Sequence, residues 1–436
     1  MMNPLRPLLA GRFALLRSSV WAIAEYVTYP LMMLAAMPLY LAALGDVQFG
    51  QWMLLLTITG FGGLAGLGMG PTATRMVAAA SGRGDMHGAS EAARACMAIT
   101  LGSSIGLAVL ILGVGWTFGG ALFEKMGTPR EIRMIVVFGA FLLTLEQIDA
   151  VIAGILRGFE RFDLSARLEI GAKMFQVACS ALVAWQTGRL LAVFITASLV
   201  AVARSIGKLV IARRLLPAGG LSPKWNPAEI RTAFGFGKWI WLQSAGSLMF
   251  AVADRALVGS LLGAEALARY AVALQLAQQV QTIPAAGAQV LFPAVAKRQE
   301  QGQNWRPLAI RAMAGVAALG MAGAAALLMV GPWFMEIWVG RSMAAEVAPV
   351  LQLLAITYGL MSLPSGAHLI LLGAGHARLV AGLTVLAGAV AVAVMPWAIG
   401  QLGLAGAPWG RFAYALIVLA MIPAVFRTMR LMQLKG

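Results

Sequence analysis

Apolar residues in this chain come in long continuous runs, interrupted at intervals by short clusters of Arg, Lys, Pro, Gly and acidic residues. The runs lack the period-two alternation of barrel strands, and they are apolar all round for roughly 20 residues, the length at which a helix crosses the hydrocarbon of a bilayer. They predict about twelve spans, at 18–42, 51–77, 95–120, 134–156, 168–187, 189–211, 239–262, 271–295, 308–331, 349–373, 378–400 and 406–427. The tightest join is at Gly188.

The pattern repeats at an offset of 218 residues, half of the 436 in the chain. LGDVQFGQW at 44–52 stands opposite LGAEALARY at 262–270, and Trp21 opposite Trp239. Both nonapeptides join the first and second spans of a six-span half. Six is even, so the halves enter the bilayer from the same side as parallel repeats. The fold class expected is an all-α integral membrane protein, with about 12 transmembrane helices in two parallel six-helix bundles around a central cavity. The first bundle is expected over 1–211 and the second over 232–436. ARRLLPAGGLSPKWNPAEIR, 212–231, reads as a cytoplasmic linker.

Composition sharpens this picture. The chain is 60% hydrophobic and 11% charged, against about a quarter charged in a soluble domain. Its net charge of +16 raises the question of nucleic acid, but the basic residues alternate between spans instead of forming a patch. With the N-terminus in the cytoplasm, 25 of the 33 Lys and Arg residues fall on the inner side, which predicts both termini inside. The first apolar run contains Glu25 and exceeds a signal-peptide core, so an uncleaved first helix is expected. Cys96 and Cys179 lie within spans and imply neither a disulfide framework nor a metal site.

Polar residues inside the spans carry the functional signal, since a polar group in lipid is costly. In the eighth span Gln275, Gln278, Gln279, Thr282 and Gln289 recur at spacings of 3, 4 and 7 and share one helical face. Glutamine donates and accepts hydrogen bonds, which suits hydroxyl-rich sugars; hydrogen bonding to another helix explains the stripe equally well. Pro284 is expected to kink this helix. In FAVADRALVGSLLG, 250–263, Asp254 continues the face of Gln243 and Ser247, whereas Arg255 lies about 100° around the helix, so the two neighbours do not pair. Arg255 is read as a phosphate-facing cation or as the partner of Glu25 or Asp149.

Glu25, Glu146, Asp149 and Asp254 are candidate coupling or gating groups for H+ or Na+, because burial ties a carboxylate's charge to conformation; each is alternatively the structural partner of a buried cation. Arg75, Arg255 and Arg411, with Lys173, Arg204 and Lys208, would make a cationic lumen suited to pyrophosphate, or would snorkel to headgroups. His368 follows Tyr358, Ser362 and Ser365 in the tenth span and is read as a titrating group or a packing histidine. No phosphate-binding loop, H-E-x-x-H or G-x-S-x-G motif is present, and no cofactor is implied. The reading is therefore a transporter that is not an enzyme.

LLGAEALARYAVALQLAQQVQTIPAAGAQVLFPAVAKRQEQG, 261–302, resembles the signature region of the polysaccharide transporter family. That family includes the O-antigen (Wzx-type) flippases of the multidrug/oligosaccharidyl-lipid/polysaccharide exporter superfamily. LGDVQFGQW with GLGMGPTATRMVA is similar to its second-helix region, ILRGFERF at 155–162 to its end of helix four, and MEIWVG at 335–340 to its turn after helix nine. The resemblance implies that Asp254 and Arg75 match the family's Asp and Arg. It also implies a substrate: an oligosaccharide on polyprenyl pyrophosphate, moved by alternating access across a bacterial inner membrane for surface polysaccharide biosynthesis. Membrane lipids, and a polymerase and glycosyltransferases, are the partners that go with it. The rival within the superfamily is a cation-coupled multidrug and toxin extrusion antiporter, whose expected acidic, aromatic cavity is disfavoured by basic intramembrane residues at least as numerous as acidic ones.

Overall fold

A computed structural model describes residues 5–60, 62–118, 128–216, 221–339 and 341–433. Among them the chain is helical throughout, without strands. In order, the helices are α1 (Leu5–Gly60), α2 (Gly62–Ala65), α3 (Met69–Gly82), α4 (Met86–Thr117), α5 (Pro129–Gly158), α6 (Phe162–Thr187), α7 (Leu190–Leu215) and α8 (Pro227–Ala277). They continue with α9 (Gln279–Ala288), α10 (Leu291–Glu300), α11 (Arg306–Val339), α12 (Arg341–Ser362), α13 (Ser365–Gly373), α14 (Ala377–Leu402), α15 (Ala407–Val418) and α16 (Met421–Gln433).

Among the described residues nine stretches are long and apolar enough to cross a membrane, and the chain is a multi-pass membrane protein. The difference from twelve has a physical origin. The second span is broken where Leu67 and Gly68 both take positive φ, 46° and 72°. The eighth is divided among the end of α8, α9 and α10, with Pro284 inside α9. The last two spans form one continuous apolar stretch, Ala377–Leu431.

Local chemistry fixes the helix ends. Thr128 and Glu131 form a reciprocal capping box at α5, with Pro129 in its first turn. The Asp85 carboxylate accepts from the Gly88 N–H at 2.7 Å at the start of α4. Gly188, the predicted tight join, closes α6 in the left-handed conformation with φ 59°. The turn at Gly340 and linker residues 217–220 lie outside the described residues.

Two compact units emerge, Met1–Trp241 and Leu242–Gly436. The division falls inside α8, because the first turns of this helix pack with the first unit: the Trp241 indole N–H donates to the Leu64 carbonyl at 3.0 Å. A Cβ on Gly237 would lie 3.0 Å from the Leu67 carbonyl and displace the tip of Met69, so the small residue lets the two backbones approach closely there. In the first unit one core gathers Met69, Val77, Cys96 and Ile152, and a second stacks Tyr40, Trp52 and Phe194 with ring centroids 5.8 and 5.9 Å apart. In the second unit the core is built from Tyr270, Leu274, Leu351, Leu354 and Met395. Large apolar side chains such as Trp185, Met249, Met329 and Trp397 stay exposed, as a lipid-facing surface requires.

Candidate functional site

Three polar assemblies stand out against this apolar background. In the first unit, α5 contributes Glu146 and Asp149, α6 Glu169 and Lys173, and α7 Arg204, Ser205 and Lys208. The charged residues on each helix are spaced three or four apart, so each helix presents them on one face. Arg204 reaches Glu146 at 2.7 Å, Glu169 at 3.0 Å and Asp149 at 3.7 Å. Lys208 reaches Asp149 at 2.6 Å and also contacts Glu169. The Ser205 hydroxyl donates to Asp149 at 3.2 Å, and Lys173 pairs with Glu169 at 2.9 Å.

The three carboxylates face three cations, so the network is neutral. Asp149, Glu169, Arg204 and Lys208 are buried, whereas the Glu146 side chain is 43% exposed. Desolvated charges of this kind persist only when matched and hydrogen-bonded.

A polar seam joins α1 to the same helices. Glu25 accepts from Arg157 at 2.6 Å, Arg17 lies 3.4 Å from Asp163, Arg167 stacks over Trp21 and Lys173 over Tyr29, both at 4.9 Å. Arg75 on α3 is half-buried, with its guanidinium 4.9 Å from the Phe236 ring centre.

The second unit holds a closed ring. The Tyr270 hydroxyl donates to Asp254 Oδ1 at 2.9 Å and accepts from Arg411 Nε at 3.1 Å, while Arg411 Nη2 donates to Asp254 Oδ2 at 2.5 Å. Arg411 Nη1 donates to the Tyr358 hydroxyl at 2.9 Å, and the guanidinium sits 5.0 Å from the centre of the Phe250 ring. Asp254 is fully buried and Arg411 8% exposed. Helices α8, α12 and α15 are thereby tied at one point.

Arg255, the next residue on α8, is exposed and, among the described residues, has no ion-pair partner. It does not pair with Asp254. Of the two acids that the sequence offered it, Glu25 pairs with Arg157, and Asp149 with Arg204 and Lys208, within the first unit.

The third assembly is the glutamine face. Gln275 and Gln289 are exposed, and Gln278, Gln279 and Thr282 half-buried. Their hydrogen bonds are local: Gln278 donates to the Gln275 side chain at 3.1 Å, and Gln279 to the Gln275 carbonyl at 3.3 Å. The bonds that cross between helices come from Gln281, which donates to the Met361 carbonyl and to Ser365, each at 3.3 Å. His368 lies 3.3 Å from Gln243.

Residues 15–299 match the model of the family described as polysaccharide biosynthesis protein. The chain belongs to this family. Its fold is that of the transporters of the same superfamily. A MATE transporter in complex with MaD5 superposes with a TM-score of 0.81 at 14% identity over 96% of each chain. The outward-facing form of a multidrug resistance MATE transporter gives 0.80 at 14% identity over 97% of each chain. A superfamily member from Pyrococcus furiosus, described as having a binding pocket of reverse polarity, gives 0.74 at 16% over 96% of each. No curated protein matches the chain. Family and fold together make the protein a membrane transporter of the multidrug/oligosaccharidyl-lipid/polysaccharide exporter superfamily.

Glu169 in the first unit and Tyr270 in the second are site residues that sequence reading passed over. For Glu169 a signal was present: it stands four residues before Lys173 inside a predicted span, an i,i+4 pair of opposite charge.

Proposed function

We propose that the protein moves an oligosaccharide carried on polyprenyl pyrophosphate from the cytoplasmic to the periplasmic leaflet of a bacterial inner membrane, feeding surface polysaccharide assembly. The observation that carries this reading is the glutamine face. Gln275, Gln278 and Gln279 bond only within their own helix turn among the described residues, and they keep amide groups at the unit's surface. Amides within an apolar span avoid lipid, so in this reading the face turns to water and to a hydroxyl-rich headgroup.

Cations supply the second element. Arg75 and Arg255 are half-buried and exposed, and their fixed charges suit the pyrophosphate. In this reading the headgroup crosses by alternating access while the polyprenyl tail stays in the bilayer. The termini lie in the cytoplasm, in keeping with the distribution of Lys and Arg.

The test is reconstitution in vesicles loaded on one leaflet with a polyprenyl-pyrophosphate oligosaccharide, following its access to an external lectin. Time-dependent exposure with protein, and none without, is the expected result. Extrusion of cationic dyes with no movement of the lipid-linked sugar would instead assign the multidrug antiporter activity suggested by the MATE fold.

A further inference from the structure

The ring around Asp254 has the makings of a cation site. It offers one carboxylate, two phenolic oxygens from Tyr270 and Tyr358, and the face of Phe250, all converging on one point of the second unit. A carboxylate binds a positive charge, hydroxyl oxygens accept N–H groups, and an aromatic face adds cation–π attraction that grows when water is excluded. The point is already filled by the guanidinium of Arg411, which donates to all three oxygen-bearing side chains.

We propose that the centre of the second unit is a cage for a planar monovalent cation, which the chain occupies with its own Arg411, so that Asp254 is not an exchangeable ion site. Three observations support this. Asp254 is fully buried, and both of its oxygens are engaged, one by Tyr270 and one by Arg411. The ring is closed: Arg411 donates through Nε, Nη1 and Nη2 and Tyr270 through its hydroxyl, each to an acceptor in the same ring. Among the described residues the charged groups in the ring are the Asp254 carboxylate and the Arg411 guanidinium, so the cage is neutral with Arg411 seated. Bringing in a proton or a sodium ion would leave an uncompensated positive charge in an apolar core, which is costly.

A carboxylate in a membrane span, Asp254 in the sequence, invites a coupling role. Here the coupling cation is replaced by a tethered one. The inference concerns the cage alone and holds whichever cargo the protein carries.

Rescue by a free ligand tests it. The full-length protein, purified in detergent, is compared with Arg411→Ala by thermal unfolding in the presence of guanidinium chloride, methylguanidinium chloride, sodium chloride or choline chloride. Each salt is used at about 10 mM, far below the molar range in which guanidinium denatures. Arg411→Ala should lower the melting temperature by more than about 5 °C. Guanidinium or methylguanidinium should recover at least half of that loss saturably, with choline and sodium inactive, and should do nothing for the double variant Asp254→Asn, Arg411→Ala.

The proposal fails if Arg411→Ala melts like the parent protein, if guanidinium recovers no more than choline, or if sodium alone restores stability. It also fails if the double variant responds as the single one does. Where Arg411→Ala does not accumulate, its membrane level is compared with that of Asp254→Asn, Arg411→Met. The charge-free pair should accumulate to a higher level, and an equal or lower level overturns the cage.

Discussion

Gly45 and Gly263, 218 residues apart, adopt the same backbone conformation, with φ 72°, ψ 171° at one and φ 88°, ψ 175° at the other. Each breaks a long helix at the join between the first and second spans of its half. This region of backbone space is closed to residues with a Cβ, so the two glycines are a physical imprint of the repeat that the nonapeptides show in sequence. Seven residues on, at positions 52 and 270, the halves diverge: Trp52 enters an aromatic stack, and Tyr270 a charged ring.

Gly263→Ala should therefore destabilise the protein through its backbone alone. Nothing lies within 4 Å of a Cβ built there, so packing neither adds to the cost nor relieves it. A loss of about 1–3 kcal/mol is expected, and Gly45→Ala should behave alike, since its Cβ position is also open. Thermal unfolding of both variants checks this, and a parent-like melting temperature would show that the kinks relax without strain.

Arg204 holds three carboxylates on two helices, and its side chain is 2% exposed. Arg204→Ala should cost about 3–5 kcal/mol, because Glu169 and Asp149 remain charged and buried with fewer partners. Replacing the partly exposed Glu146 by Gln should cost much less, since water screens that pair. The quantity to measure is the melting temperature of each purified variant, and equal losses would contradict the network's described order.

Much of this was legible in the sequence. Continuous apolar runs located the spans, because a bilayer demands that every backbone group be satisfied within a helix. The separation of Asp254 from Arg255 followed from the 100° advance per residue. Partners were not legible. Which acid meets Arg204 or Arg411 depends on how helices rotate against one another, a relation between distant segments that no local period contains. Glu25, open to several cations by sequence, pairs with Arg157, 132 residues away.

That pair makes a third prediction. Glu25 and Arg157 approach to 2.6 Å with side chains 16% and 28% exposed. Their coupling in a double-mutant cycle of Glu25→Gln and Arg157→Gln should be about 1 kcal/mol or less, as for partly solvated pairs. Raising the salt concentration should shrink it further, and a coupling insensitive to salt would mean that the pair is sealed from water.

The glutamines of α8 and α9 permit a sharper separation of function from stability. Gln281 bonds to the Met361 carbonyl and to Ser365 on neighbouring helices, so Gln281→Ala should lower the melting temperature by an amount equivalent to about 1 kcal/mol or more. Gln275 and Gln278 bond chiefly to each other at the surface of the unit, so replacing both with Ala should leave the melting temperature nearly unchanged. Under the flipping proposal the same double variant should slow the appearance of lipid-linked sugar at the external lectin several-fold. If the Gln275, Gln278 variant transports at the parental rate, this face does not contact the cargo. A Gln281 variant that melts like the parent would in turn remove the distinction between the two faces of the helix.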